Sequence, residues 1–506
     1  MTLEKNLITV AQKIKLGSEQ ITVDSSVLLD EQLTKLLSYS SYPVIETVEV
    51  SLGEVNVSGK MAIKICYMTS ENKIVFKDAI SDFSSRFSNS EISPSLKVLV
   101  KAKLIDATAS VLSETNIKIA SVIELFYYAI KQEDVNLLVS ASEDICLKPS
   151  ETNIVKLVSH EEQNFEEEIK LSIKDKFERL LSADADIILK DATAGVNFVT
   201  LSGDIVSRVM YVSDEESGKI ITLENIESFK TEVEITGVSQ TSKLDITLFP
   251  KKEQIKADIN SEDGNVNLTI NLPNKVVVSA FEEENVNCSS DIYSLTNNLE
   301  LVTSSFQQIE LENSEYFESK IEGGLTLSET QPRVDKILAV TSPYLISTNS
   351  YISDGEIVLE GIAYANVIYL NDEEMTTNSI QIEVPFKISE KTVASENYEI
   401  VANIILDNVD VIVKKGRELY FDAKVKAYVS YYRNKTEAVL SDAVEGDLLP
   451  AKEQAIEIYF GKQGNALWDI AKNLNISLET LKNQNPDVSE VLEENRNLII
   501  YYQKNK

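Results

Sequence analysis

The chain has 506 residues, 43% of them hydrophobic and 25% charged, with 48 Lys and Arg against 81 Asp and Glu, a formal net charge of −33. That length suggests roughly three to four domains, and the apolar content excludes wholesale disorder. So acidic a surface repels phosphate backbones and anionic lipid, which argues against nucleic-acid binding and membrane adsorption.

Read in order, the N-terminal residues Met1–Asn6 lack the basic start and apolar core of a secretory signal. No stretch reaches the ~18 consecutive apolar residues of a membrane span. Cys66, Cys146 and Cys288 lie far apart and form no CxxC pair, which suits a reducing compartment. The cytoplasm is therefore the expected location.

Strand patterning dominates the first 440 residues. Val55–Tyr67, Val98–Leu104 and Ile117–Ile130 alternate apolar and polar residues with period two. Only the leucine-rich piece Asp30–Leu37 reads as a short helix. A repeat then emerges. Gly59, Gly203 and Gly361 each follow an apolar-polar pair, and Tyr67, Tyr211 and Tyr369 each stand eight positions after their glycine. A polar, turn-rich stretch follows each tyrosine, such as Ser213–Gly218. A glycine inside a strand marks a bulge or a close backbone approach, and a tyrosine can bury its ring while sending its hydroxyl to the rim. These six residues are expected to be structural.

The spacing divides the chain into a β-rich unit over residues 1–145, a second over 146–290 and a third over 291–440. The acidic run Glu151–Glu168 reads as a turn-prone lead into the second unit. Ser441-Asp442, Gly446-Asp447 and Pro450 mark a linker over 441–454, and a small domain occupies 455–506.

Catalytic constellations are not found in the sequence. His160 is the sole histidine and sits in a polar, linker-like context, and no GxSxG elbow accompanies any serine. Zinc sites need clustered thiolates or imidazoles, and phosphate loops a GxxxxGK[ST] run; neither occurs. Asp184 with Asp186, and Asn371–Glu374, are acidic enough to hold calcium but miss the 12-residue loop pattern. The chain reads as a non-enzyme without metal or cofactor.

The last fifty residues differ. Ile456 and Ile458 alternate with Glu457 as a short strand, and Leu467, Ile470, Ala471 and Leu474 form one apolar helical face. Ser477 can cap a second helix, Asn485-Pro486 stops it, and Leu498–Tyr501 is a closing strand. The order is βααβ.

Tyr459, Gly464, Leu467-Trp468-Asp469-Ile470-Ala471 and Asn485-Pro486 resemble a LysM domain. LysM domains usually bind N-acetylglucosamine polymers, in a groove beside the first helix. Here the family's Gly-Asp-Thr-Leu reads Gly464-Asn465-Ala466-Leu467, and Glu493–Asn497 replaces the glycine before the last strand. Both departures fall near the expected sugar contacts. Three acidic β units followed by one such module resemble the SipL-type family of clostridial spore-coat morphogenetic proteins, whose repeats are called DUF3794 or SPOCS domains. That resemblance implies a mainly β fold, with three tandem β-rich domains and a small βααβ LysM domain. It also implies residence in the mother-cell cytoplasm at the forespore surface, within the spore coat. It implies that the module grips the coat-basement ATPase SpoIVA, and that the repeats meet other coat or forespore-surface proteins. Trp468, Leu467, Ile456, Asn485 and Pro486 are the candidate partner contacts, with core packing as the alternative role for Trp468. Binding of peptidoglycan is the alternative function. Exposed edge strands in repeated β domains also leave room for self-association.

Overall fold

A computed structural model of the chain describes residues 2–214, 219–262, 265–372, 376–450, 452 and 454–502. The first group of strands comprises β1 (Leu3–Leu28), β2 (Leu33–Ser51), β3 (Glu54–Thr69), β4 (Ile74–Ser88), β5 (Lys97–Ser113) and β6 (Asn116–Ala141). They form two antiparallel sheets, β1-β6-β5 and β2-β3-β4. Period-two burial explains the pairing of the sheets: Val55, Val57, Met61, Ile63 and Ile65 of β3 face Ile117, Ile119, Ile123 and Leu125 of β6 in one core. Each such side chain contributes about 1.5–3 kcal/mol by leaving water.

The second group has β7 (Ile145–Ile173), β8 (Arg179–Ala194), β9 (Phe198–Asp214), β10 (Lys219–Glu234), β11 (Lys243–Pro250), β12 (Lys256–Glu262) and β13 (Asn265–Ser294). Its sheets are β8-β9-β10 and a four-stranded sheet in which β13 pairs with β7, β11 and β12. Pro250, which lacks an N–H to continue the ladder, ends β11 before a single 3₁₀ turn, Lys252–Gln254.

In the third group lie β14 (Asn297–Leu311), β15 (Glu315–Thr326), β16 (Val334–Ser353), β17 (Glu356–Asn371), β18 (Thr377–Lys391), β19 (Glu399–Lys414) and β20 (Glu418–Leu448). They make the sheets β16-β17-β18 and β14, β15 and β19 around β20. The tail holds β21 (Ile456–Gly461), α1 (Leu467–Leu474), α2 (Leu478–Gln484) and β22 (Arg496–Tyr501). The protein is thus mainly β, built from several separate antiparallel sheets.

The three glycines occupy one environment three times. Gly59 on β3 pairs with Ile45 and Phe83, Gly203 on β9 with Leu189 and Phe229, and Gly361 on β17 with Ser347 and Phe386. A β-bulge follows each of Ile45, Leu189 and Ser347. The bulge brings a carbonyl down onto the glycine: a Cβ would lie 2.4 Å from Val44 O, 2.0 Å from Ile188 O and 2.4 Å from Ile346 O. The phenyl ring from the next strand closes the other side. Tyr67, Tyr211 and Tyr369 are all buried.

Strands continue where turns and a helix are expected from sequence. Residues 33–37 belong to β2. Bulges between Leu33 and Lys35 and between Leu36 and Ser38 shift the buried face, which gives the leucines their helix-like spacing. The run Glu151–Glu168 lies within β7, paired with β13 along its length. Residues 441–448 are the end of β20 rather than a linker, with Leu440 and Ala443 buried. Glu215–Gly218, part of the turn-rich stretch expected after Tyr211, lie outside the described residues.

Beyond each sandwich the first and last strands run on as a two-stranded ribbon. Residues 3–12 pair with 131–141, 145–154 with 284–294, and 297–308 with 435–448. The three ribbons pack on each other through Ile8, Val135, Ile154, Val286, Phe306 and Val439. Elsewhere Leu37, Leu181 and Ala339 meet with Cys66, Met210 and Ile368, the last three being the residues directly before Tyr67, Tyr211 and Tyr369.

Between these apolar ends the seams carry buried charge. Lys13 contacts Asp245 at 2.5 Å, and Lys426 contacts Asp204 at 2.7 Å and Asp407 at 3.2 Å. Arg208 binds Asp186 at 2.9 Å and Glu224 at 2.8 Å and also donates to Leu406 O across the seam.

Candidate protein-interaction site

The tail folds around Leu467, Ile470, Ala471, Leu474, Leu481, Leu492, Leu498 and Ile500. Ser477 caps α2, accepting from Thr480 N at 3.0 Å, and Asn475 ends α1 in the left-handed conformation (φ 52°).

Trp468 does not present itself to a partner. It is 7% exposed, its Nε1 donates to Asp291 Oδ2 at 2.7 Å, and its ring meets Tyr293 edge-on at 5.0 Å. Lys472 contacts the other oxygen of Asp291 at 2.6 Å, and Tyr293 OH donates to Ile476 O at 2.7 Å. Asp291 and Tyr293 stand near the end of β13, so α1 is docked onto the ribbon of the second strand group. Burial alone would raise the Asp291 pKa, but the Lys472 and Trp468 hydrogen bonds outweigh it and hold the carboxyl below its usual range. The contact is therefore intact above the ordinary carboxylate value, ~pH 4, and weakens as pH falls through the lowered one.

Asp291→Ala should weaken the docking by about 1.5–3 kcal/mol, the range for hydrogen bonds to a charged group. Because Trp468 is the sole tryptophan, a red shift of its emission reports the loss. Unchanged emission would show that Asp291 does not hold the tail.

The other predicted contacts separate. Leu467 is buried in the tail's own core, and Pro486 is exposed on the turn after α2. Asn485 serves the backbone: its Oδ1 accepts from Ile499 N at 3.0 Å and its Nδ2 donates to Ile499 O at 3.0 Å. Gln484 does the same for Tyr501, accepting from its N at 3.0 Å and donating to its O at 2.9 Å. Two side chains thus stand in for a neighbouring strand and close the outer edge of β22.

Ile456 is exposed and belongs to a larger surface that was not anticipated from the sequence. It pairs with Tyr501, Ile458 with Ile499, and Phe460 with Asn497. Opposite residues share a face, so Ile456, Ile458, Phe460, Ile499 and Tyr501 lie together, 56%, 53%, 73%, 41% and 52% exposed. Their inward neighbours Leu498 and Ile500 fill the core. The signal was present: Leu498–Tyr501, and Ile458–Phe460 in the other strand, are apolar at consecutive positions where a half-buried strand would alternate.

The positions that depart from the LysM pattern bind the turn before α1. Asn465 Oδ1 accepts from Lys462 N at 2.9 Å and Asn495 Oδ1 from Gln463 N at 2.9 Å.

Outside the tail, His160 lies within β7, half-buried, with Nδ1 2.9 Å from Ser279 Oγ. It is not in a solvated linker. Burial, with the Lys97 charge, lowers its pKa. Asp186 faces Lys252 at 2.5 Å as well as Arg208, and Asp184 lies 3.6 Å from Lys252, so side-chain cations neutralise this pair. Glu373 and Glu374 lie outside the described residues. Among the described residues no group of three or more His, Cys, Asp or Glu is arranged to hold a metal ion, and no helix is long and apolar enough to cross a membrane.

No family model matches the chain, and no curated protein or solved structure is detectably similar to it.

Proposed function

We propose that the protein is a non-enzymatic scaffold of spore-envelope assembly, in which the C-terminal module recruits the coat-basement ATPase SpoIVA to the forespore surface. On this reading the three strand groups are SPOCS repeats and the tail a LysM domain of a SipL-type protein, working in the mother-cell cytoplasm. The observation that carries it is the apolar face of β21 and β22, where five large side chains stand exposed on one small sheet. Contiguous apolar patches of this kind mark interaction sites, and their aromatic members dominate binding energy.

Two features support a protein partner over a sugar. Trp468 is occupied by Asp291 and Tyr293, and Asn465 and Asn495 are committed to backbone bonds at the turn beside α1. Charge also favours this face for docking. Residues 451–506 carry seven Lys and Arg against eight Asp and Glu, so the large negative charge belongs to the strand groups.

Capture of SpoIVA from sporulating cells by the tagged chain tests the reading. Removal of residues 451–506, and separately Ile458→Asp with Phe460→Asp, should each reduce capture at least tenfold. Capture that survives the removal sinks the assignment. Titration of the full chain with N-acetylglucosamine oligomers should give no binding; saturable binding would favour the peptidoglycan alternative.

A further inference from the structure

Where the three strand groups meet there is a cavity of 730 Å³. One wall is the outer face of the sheet β1-β6-β5. Lys13 and Lys15 on β1 and Lys101 and Lys103 on β5 are each two residues apart, and alternation along a strand turns both members of each pair to the same side. Phe126 and Tyr128 of β6 lie between them.

These four lysines have different fates. Lys13 is neutralised by Asp245 of the second group, and Lys103 donates to Ser347 O of the third. Lys15 rests over the Phe126 ring, 5.6 Å from its centre. Lys101 has no hydrogen-bond or ion-pair partner among the described residues, although it lines the cavity. Of the carboxylates on the opposite walls, Asp186 is neutralised by cations and the two glutamates accept hydrogen bonds from neutral donors. Asp186 binds Lys252 and Arg208, Glu399 accepts from Tyr432 OH at 2.6 Å, and Glu396 accepts from Asp354 N at 3.2 Å. Lys101 is half-buried, and an ammonium there without an ion pair gains from an anion that comes to pair with it. Consistent with that, burial and the neighbouring Lys13 push the Lys101 amine down to about 7.

We propose that this cavity binds a small organic anion with an aromatic or acyl body, its charged end on Lys101 and Lys15 and its apolar body against Phe126, Tyr128 and Leu248. The lining dictates this chemistry. A cavity of this size accepts a ligand of several hundred daltons rather than a bare ion, and aromatic and aliphatic walls reward an apolar body. Lys15 and Lys101 bring to it two ammonium groups that form no ion pair among the described residues. The site would be assembled from all three groups, so occupancy would draw them together and raise stability by mass action.

The probe is 8-anilinonaphthalene-1-sulfonate, an aryl sulfonate whose fluorescence rises in apolar surroundings, titrated into the full chain at neutral pH and low salt. Saturable binding is expected, weakened at least tenfold by Lys101→Met and by Lys15→Met and unchanged in Ile458→Asp with Phe460→Asp. Thermal melting separates a ligand role from a structural one: Lys101→Met should melt no lower than the parent, since Lys101 makes no hydrogen bond or ion pair among the described residues that the change would break. Equal affinity in Lys101→Met overturns the proposal. So does probe binding that disappears with the β21 substitutions, which would place the probe on the exposed sheet face.

Discussion

Gly203→Ala is expected to cost about 4 kcal/mol, near the upper end for single substitutions, enough to leave a marginal fold largely unfolded at 37 °C. The added Cβ would lie 2.0 Å from Ile188 O and 2.9 Å from the Phe229 ring. A ring can turn aside, but Ile188 O belongs to a backbone held in the β8–β9 ladder and cannot retreat without breaking the adjacent bulge. Gly59→Ala and Gly361→Ala should follow with somewhat smaller losses, since their nearest carbonyls lie at 2.4 Å. The control is Gly355→Ala. Gly355 has φ 76° but open space within 4 Å, so it should cost only the ~1–2 kcal/mol of a left-handed alanine. Urea denaturation followed by far-ultraviolet circular dichroism measures all four. A loss at Gly203 no larger than that at Gly355 would show that the backbone yields.

Lys426→Met should destabilise by about 3–5 kcal/mol, the cost of stranding a buried charge. The lysine is 3% exposed, between Asp204 and Asp407, themselves 4% and 1% exposed. Asp204 would keep Lys190 at 2.8 Å and the hydroxyl of Ser228. Asp407 would keep no ion-pair partner among the described residues, and neither of its oxygens accepts an aligned hydrogen bond even in the parent. Adding Asp407→Leu should therefore recover much of the loss. The pH dependence has a definite sign. Burial would raise the Asp204 pKa, but the Lys190 and Lys426 hydrogen bonds overcome it and lower it. Its contribution is complete above the unfolded carboxylate value, ~4, and is lost as pH falls through the folded one. For Lys426 burial lowers the pKa, but Asp204 and Asp407 raise it overall, so its contribution holds below the unfolded lysine value, ~10.4, and is lost at still higher pH. Melting temperatures between pH 3 and 7 should fall more steeply for the parent than for the variant. Parallel curves would contradict this charge coupling.

Legibility in the sequence followed chemistry that acts locally. A glycine under a carbonyl and a tyrosine eight residues on are demands of one strand on itself, and the same interval three times made them visible at Gly59, Gly203 and Gly361. Bulges hid the reverse case at 33–37, because an extra residue moves the next leucine to the spacing of a helix. Ribbon strands such as 441–448 were hidden by their polar residues: a two-stranded ribbon buries only one side, and turn-forming Ser, Asp and Gly are tolerated on the other. In the tail, helix faces and caps were readable from their spacing. The burial of Trp468 was not, because the residues that cover it, Asp291 and Tyr293, lie in another part of the chain. Nor was the pairing that leaves Lys101 alone, since Lys13 and Lys103 find their partners in other strand groups.

The ribbons set an order of events for folding. Leu3 pairs with Ala141, Ile145 with Ser294 and Asn297 with Leu448, so each group is closed by its earliest and latest strands. Joining such distant segments carries the loop-closure entropy that makes β topologies slow, in the range of milliseconds to seconds. A nascent chain can complete the first group as soon as β6 is made, and the second once β13 is made. Their ribbons can then pack on each other, but the cluster of Ile8, Val135, Ile154 and Val286 stays incomplete until β14 and β20 supply Phe306 and Val439. The interval between those moments is when this protein is most exposed to misassociation during synthesis.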